Sequence, residues 1–416
     1  MIRKLQNLIH SRVFKNFINL LLLQFANYCM PLITFPYLIR VMGASNFGLI
    51  SFSSSLMALL SIVSDYGFNL SATRQISINR QDSIKLSSIF SSVITIKIGL
   101  SCLVLVLLYL SSFYVDLINL NFKYVLINFG VVVGGALFPT WLFHGIERMG
   151  FVSSINVFSK IFTAVMIFLF VKSNEDLLIV PLLYSLGFIL PGAIGIFLAT
   201  KKLGIMYELP YFSEIKFQLR EGWRYFLSNI SIGTYTQSLP ILIGIFSSEL
   251  YVGYYSGAEK LIKAIQGLYT PLSQALFPFV SNLMIKSQIE GRLLIRRIIM
   301  IGAPIVFFLC LILFFLSEFL IEIYLGKGFY ESVRVMKILS FTPFIIFFSN
   351  MFGVQGLVSL GQKRYFSNIL LVSSLFGICL SLFLIPRYFH IGAAFVSIMI
   401  EVVVTVLMAL FFYRTK

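Results

Sequence analysis

The stretch VGYYSGAEKLIKAIQGLYTPLSQALFPFVSNLM, residues 252–284, is long enough to cross a bilayer as a helix, yet it carries Glu259, Lys260 and Lys263 together. A helical span needs about 20 mostly apolar residues, and a charge at its centre costs roughly 2.5–3.5 kcal/mol on insertion scales. Charges tolerated there face a bundle interior or a water-filled cavity. Stepping about 100° per residue places Ser256, Lys260, Lys263, Gly267, Thr270 and Gln274 on one stripe. Leu261, Ile265, Leu268, Leu272, Leu276 and Phe279 form the opposite, apolar face. Glu259 sits at the edge of the stripe, four residues before Lys263, the favourable order for an ion pair along a helix. Pro271 and Pro278 predict bends, which are tolerated where other groups satisfy the freed carbonyls. The stretch therefore reads as a spanning helix with one wet side, inside a bundle.

The rest of the chain agrees. Of its 416 residues, 58% are hydrophobic and 12% charged, against roughly a quarter charged in soluble domains. The mean hydropathy is +0.94. The expected fold class is an all-α polytopic membrane protein. Apolar runs from near Phe14 to Tyr413 predict twelve transmembrane helices in two six-helix lobes. The N-terminal lobe, 1–200, opens with the amphipathic lead-in MIRKLQNLIHSRVFKNF, followed by an apolar run too long for a signal-peptide core. A basic linker at 201–222 precedes the C-terminal lobe, 223–416. PYLIRVMGASNFG, residues 36–48, and PILIGIFSSELYVG, residues 240–253, echo one another, as an internal duplication around a midplane site would. With both termini cytoplasmic, the inner loops collect 21 of the 32 basic residues, as the positive-inside rule requires.

Several function classes fall away. The net charge of +16 sits in short loops and inside spans rather than on a soluble basic face, so nucleic acid is not the expected partner. An anionic membrane surface or an anionic cargo suits it better. Cys29, Cys102, Cys310 and Cys379 fall in four different predicted spans, and His10, His144 and His390 are scattered. Neither a metal cluster, a disulfide framework nor a catalytic grouping is indicated. No phosphate-binding Gly-x-x-x-x-Gly-Lys loop occurs, so the reading is of a non-enzyme with no cofactor.

The charges left inside the predicted spans are Lys97, Lys160, Glu259, Lys260, Lys263 and Glu401, with Asp65 and Lys337 nearer span ends. A structural reading pairs Glu259 with Lys263 and lets Lys260 reach an interface. The cations outnumber the nearby acids, however, which points to a cationic cavity for an anionic cargo. In SDYGFNLSATRQIS, Asp65 and Arg74 read as a polar cluster at the end of a helix.

Together, PYLIRVMGASNFGLISF, DYGFNLSATRQIS, WLFHGIERMGF, VGYYSGAEKLIKAIQGLYTPLSQALFPFVS and FGVQGLVSLGQKRYF resemble the Wzx (RfbX-like) O-antigen flippases of the MOP superfamily. The similarity runs in order over nearly the whole chain. It implies a fold like that of MATE transporters and the lipid II flippase. It also implies a cargo, an oligosaccharide repeat unit on undecaprenyl pyrophosphate, moved from the cytoplasmic to the periplasmic leaflet of the bacterial inner membrane by alternating access. The implied driving force is a proton or sodium gradient, and the implied associates are a polysaccharide polymerase and a chain-length regulator. Arg40, Asp65, Arg74, Glu147, Glu259, Lys260 and Lys263 lie within the family-like stretches. Lys97, Lys160 and Glu401 lie outside them. On this reading Lys260, Lys263, Lys97, Lys160, Arg40 and Arg74 attract the anionic cargo, Ser256, Thr270 and Gln274 extend its polar path, and Glu259, Glu401 or Asp65 binds the coupling cation. A multidrug exporter on the same fold needs a net acidic cavity, and a polymerase a large outer loop. Twelve spans omit the extra pair of a lipid II flippase. Replacing Lys260 and Lys263 together with Gln should leave membrane insertion normal and abolish transport, as read by insertion and surface-polymer assays.

Overall fold

The computed structural model describes Arg12–Arg414 apart from Leu268, with side chains described from Met30 onward except those of Tyr235, Pro271 and Ala275. The lead-in before Arg12 lies outside the described residues. Hydrocarbon offers the backbone no hydrogen bonds, so each crossing segment must satisfy its N–H and C=O groups internally, and every described element is helical. Eight helical runs among the described residues are long and apolar enough to cross a membrane. Two have double length, Met30–Ile78 and Lys363–Arg414. The first is broken at Gly43, with φ of 75°, and the second at Phe389, with φ of 49°.

By packing, the chain divides into two units, Met1–Val41 with Ser53–Ile230, and Met42–Phe52 with Ser231–Lys416. The first unit contains most of α1 (Arg12–Asp65), α2 (Phe68–Ile78), α3 (Ser83–Ser112), α4 (Asp116–Leu120), α5 (Phe122–Asn128), α6 (Gly130–Leu137), α7 (Thr140–Gly145), α8 (Met149–Phe170) and α9 (Ile179–Phe197). α10 (Phe212–Phe246) begins in the first unit and ends in the second. The second unit continues with α11 (Glu249–Gly267), α12 (Tyr269–Lys286), α13 (Gln288–Phe315), α14 (Ser317–Leu325), α15 (Tyr330–Leu339), α16 (Thr342–Phe352) and α17 (Lys363–Arg414).

Residues 201–222, read from sequence as a linker, pack along the first unit. The Met206 backbone N–H donates to Ser87 Oγ at 3.1 Å and the Glu208 N–H to Ser91 Oγ at 3.0 Å. Glu214 Oε2 then accepts the Tyr211 N–H at 2.9 Å where α10 begins. Backbone donors that would be orphaned in a free loop are thus satisfied, and the first unit extends to Ile230.

The stretch at 252–284 is helical on both sides of Leu268, which lies outside the described residues: α11 is described to Gly267 and α12 from Tyr269.

In the second unit, Met42–Phe52 lies against α11 backbone to backbone. A Cβ added at Gly48 would stand 1.7 Å from the Glu249 carbonyl oxygen, and one at Gly253 would stand 2.1 Å from that of Ala44. Small residues let membrane helices approach this closely, and Ser45 Oγ donates to Glu249 Oε1 at 3.0 Å across the same contact. Gly48→Val and Gly253→Val each push one helix off the other, at a cost of about 3 kcal/mol, the upper end of ordinary overpacking. Both should lower the melting temperature of the purified protein, read by thermal unfolding in detergent, whereas Gly99→Ala, whose Cβ would meet nothing within 4 Å, should not.

Candidate functional site

In the first unit, α1 ends on Asp65, and Tyr66 (φ 45°) and Gly67 (φ 77°) turn the chain into α2. Lys97 lies in the middle of α3 and is 1% exposed. Its Nζ is 2.7 Å from Asp65 Oδ1 and donates to the Gly135 carbonyl at 3.0 Å. A buried ammonium without such partners would carry a large desolvation cost. Ser101 Oγ donates to the Lys97 carbonyl at 2.8 Å and shares a 2.8 Å hydrogen bond with Ser64. On the other side, Asp65 Oδ2 accepts from Asn69 Nδ2 at 3.4 Å, and Asn69 Oδ1 accepts from Thr140 Oγ1 at 2.8 Å.

Lys97 and Asp65, assigned separately by the sequence to cargo and coupling ion, therefore neutralise one another. Arg74, one turn beyond Asn69 on α2, is exposed rather than joined to Asp65. Arg40 is exposed on α1, just before the turn at Gly43. Glu147 (φ 59°) pairs with Arg80 at 2.8 Å. Lys160 is half-buried on α8, where it makes no hydrogen bond or ion pair with the described residues. Its neighbour Ser159 donates to the Gly187 carbonyl of α9.

In the second unit, Lys260 is half-buried on α11. Its Nζ donates to Ser51 Oγ at 3.1 Å and lies 4.6 Å from the centre of the Phe47 ring. Both partners come from Met42–Phe52, and a cation over an aromatic face gains most where water is excluded. Lys263 Nζ is 2.9 Å from Glu259 Oε1, with the lysine 47% and the glutamate 14% exposed. Tyr255 Oη donates to the same Oε1 at 3.3 Å. Glu401, on α17, is half-buried.

The predicted stripe does not face water along its length. Ser256 and Gly267 are buried, Thr270 is half-buried, and Lys263 and Gln274 are exposed. On the opposite face Leu272 and Phe279 are exposed, as a lipid-facing side would be. Leu268, on the predicted apolar face, lies outside the described residues.

A second polar line runs through Ser273 instead. Its Oγ donates to Asn350 Oδ1 at 2.8 Å, while Gln355 Nε2 donates to the Ser273 carbonyl at 2.9 Å. Gln266 Nε2 donates to Thr342 Oγ1 at 3.0 Å. Sequence reading passed over Asn69, Thr140, Ser51, Phe47 and this line. The polar residues of DYGFNLSATRQIS were a signal for Asn69; nothing in the sequence singles out Ser51 or Phe47 as partners of Lys260. No group of His, Cys, Asp or Glu among the described residues is arranged to hold a metal ion.

Residues 13–284 match the family described as polysaccharide biosynthesis protein. The chain belongs to that family. It is 31% identical over 405 residues to a protein of Escherichia coli (strain K12) named "Putative O-antigen transporter", covering 97% of each chain. A protein of the same name from Shigella dysenteriae is 29% identical over 91% of this chain and 94% of that one. Among solved structures, the lipid II flippase MurJ in an inward-closed conformation superposes with a TM-score of 0.71 at 15% identity, over 97% of this chain and 87% of that one. An inward-facing MATE multidrug transporter of the MOP superfamily gives 0.62 at 13% identity, over 96% of each. These likenesses show the fold, as the family resemblance implied. The named relatives and neighbours are transporters and flippases, not enzymes.

This family member holds Lys97 and Asp65 as a mostly buried pair, and removing one partner of such a pair costs about 3 kcal/mol. Asp65→Asn and Lys97→Met should each lower the melting temperature, and the double variant should recover part of the loss. Additive losses in the double-mutant cycle would show that the two groups do not interact.

Proposed function

We propose that this multi-pass membrane protein is a flippase for lipid-linked polysaccharide repeat units. The cargo on this reading is an oligosaccharide on undecaprenyl pyrophosphate, carried from the cytoplasmic to the periplasmic leaflet of the bacterial inner membrane by alternating access. The observation that carries it is the match over 97% of the chain to a relative named as an O-antigen transporter, on a fold shared with a lipid flippase.

Twelve spans with both ends cytoplasmic belong to the same reading. The limbs of α1, then α3, α5–α7, α8 and α9 supply six, and α10, α11–α12, α13, α15–α16 and the limbs of α17 supply six more. The excess of Lys and Arg in the loops this places inside sets the orientation. Lys260, beside Ser51 and Phe47, and half-buried Lys160 are the cations that attract pyrophosphate on this reading. Arg40 and Arg74, both exposed, extend the cationic path, and Thr270 and Gln274 its polar path. A proton or sodium gradient drives the cycle through Glu401 or Glu259, Asp65 being held by Lys97. A polysaccharide polymerase and a chain-length regulator take up the product.

Deletion of the gene should abolish surface polymer and leave single lipid-linked repeat units on the inner leaflet. Normal polymer with altered drug sensitivity would assign the chain to drug export instead. In complementation, Lys260→Gln should cut polymer roughly tenfold or more, the equivalent of a hydrogen bond to a charged group. Lys263→Gln, removing a cation already matched by Glu259, should cost much less. Equal losses from the two would reject this division of roles.

A further inference from the structure

We propose that Asp65, Asn69 and Thr140, flanked by the rings of Tyr66 and Trp223, form a subsite for an uncharged sugar ring of the cargo; this rests on the flippase reading above. The polar edge is continuous and half open. Asp65 Oδ1 is taken by Lys97 at 2.7 Å, while Oδ2 receives one Asn69 hydrogen at 3.4 Å. Asn69 Oδ1 is taken by Thr140, which leaves its amide with a further donor and Asp65 with further lone pairs. Asn69 is exposed and Asp65 is 33% exposed. An acceptor beside a donor matches a pair of neighbouring sugar hydroxyls, each of which both donates and accepts.

The charge balance selects the ligand class. Lys97 is buried behind Asp65, so the pair presents carboxylate lone pairs with its net charge cancelled. A cation meets an ammonium 2.7 Å behind the carboxylate, and an anion meets the carboxylate first; neutral hydroxyls meet neither penalty.

The aromatic side begins at the next residue. The Tyr66 ring stacks on Phe226 at 4.9 Å and 13°, with Trp223 at 6.4 Å from Tyr66 and 5.7 Å from Phe226. Trp223 is 49% exposed, beside the half-buried rings of Tyr66 and Phe226. Open ring surface beside a polar edge suits a sugar, whose ring has an apolar C–H face and a hydroxyl rim.

The backbone is the independent sign. Tyr66 holds a left-handed φ of 45°, which a bulky residue adopts at a cost and which clusters at ligand clamps. The surroundings enforce it: a Cβ at Gly222 would stand 2.9 Å from the Tyr66 ring, and one at Gly67 would stand 2.6 Å from the Tyr225 Cβ.

The test uses the full chain in lipid nanodiscs. Calorimetric titration compares oligosaccharide released from the host's own surface polysaccharide with inorganic pyrophosphate. Saturable oligosaccharide binding should weaken at least tenfold in Asn69→Ala and in Trp223→Ala, recover in Trp223→Tyr, and leave the pyrophosphate response unchanged. Both altered side chains are exposed, and melting temperatures near that of the parent would confirm folding. Trp223 is one of two tryptophans, the other being buried Trp141, so Trp223→Tyr should also remove a sugar-dependent change in indole fluorescence. Parental affinity in both alanine variants, or no saturable oligosaccharide binding by the parent, overturns the subsite. Normal surface polymer after gene deletion overturns the flippase reading instead, whatever the titrations show.

Discussion

The second unit depends on two glycines. Gly48 and Gly253 remove the side chains that would otherwise keep Met42–Phe52 away from α11, and the carbonyl oxygens of Glu249 and Ala44 occupy the space gained. Apolar side chains gain little from one another when lipid is the alternative, so close packing and hydrogen bonds must hold membrane helices together. At this approach Ser45 reaches Glu249, and Ser51 and Phe47 reach Lys260. An eleven-residue segment from the first half of the chain, Met42–Phe52, is thereby built into the unit formed by the second half.

Charge in the two units follows one rule with two outcomes. Where a lysine is fully withdrawn from solvent, as Lys97 is, a carboxylate and a carbonyl meet it. Where a lysine is partly open it can go without: Lys160 makes no hydrogen bond or ion pair with the described residues. The desolvation cost that forces pairing in the first case is smaller in the second.

Membrane class, helical content and the Glu259–Lys263 pair were legible in the chain because each rests on local rules: apolar length, internal hydrogen bonding and a four-residue spacing. Which residues of α11 and α12 are covered was not legible in the same way: Ser273, off the stripe from Ser256 to Gln274, makes the buried contacts with Asn350 and Gln355, while Gln274, on it, is exposed.

The sequence by itself determined that this chain lives in a membrane, that it is helical, and that its family-like stretches carry cations at membrane depth. Tertiary structure decided which of those cations are matched. Asp65 and Lys97 lie on different helices, and Ser51 and Lys260 in different halves of the chain, so no periodicity links them. Their pairing follows from where glycines let backbones meet and where a left-handed turn at Tyr66 redirects the chain, and both are set by packing rather than by spacing.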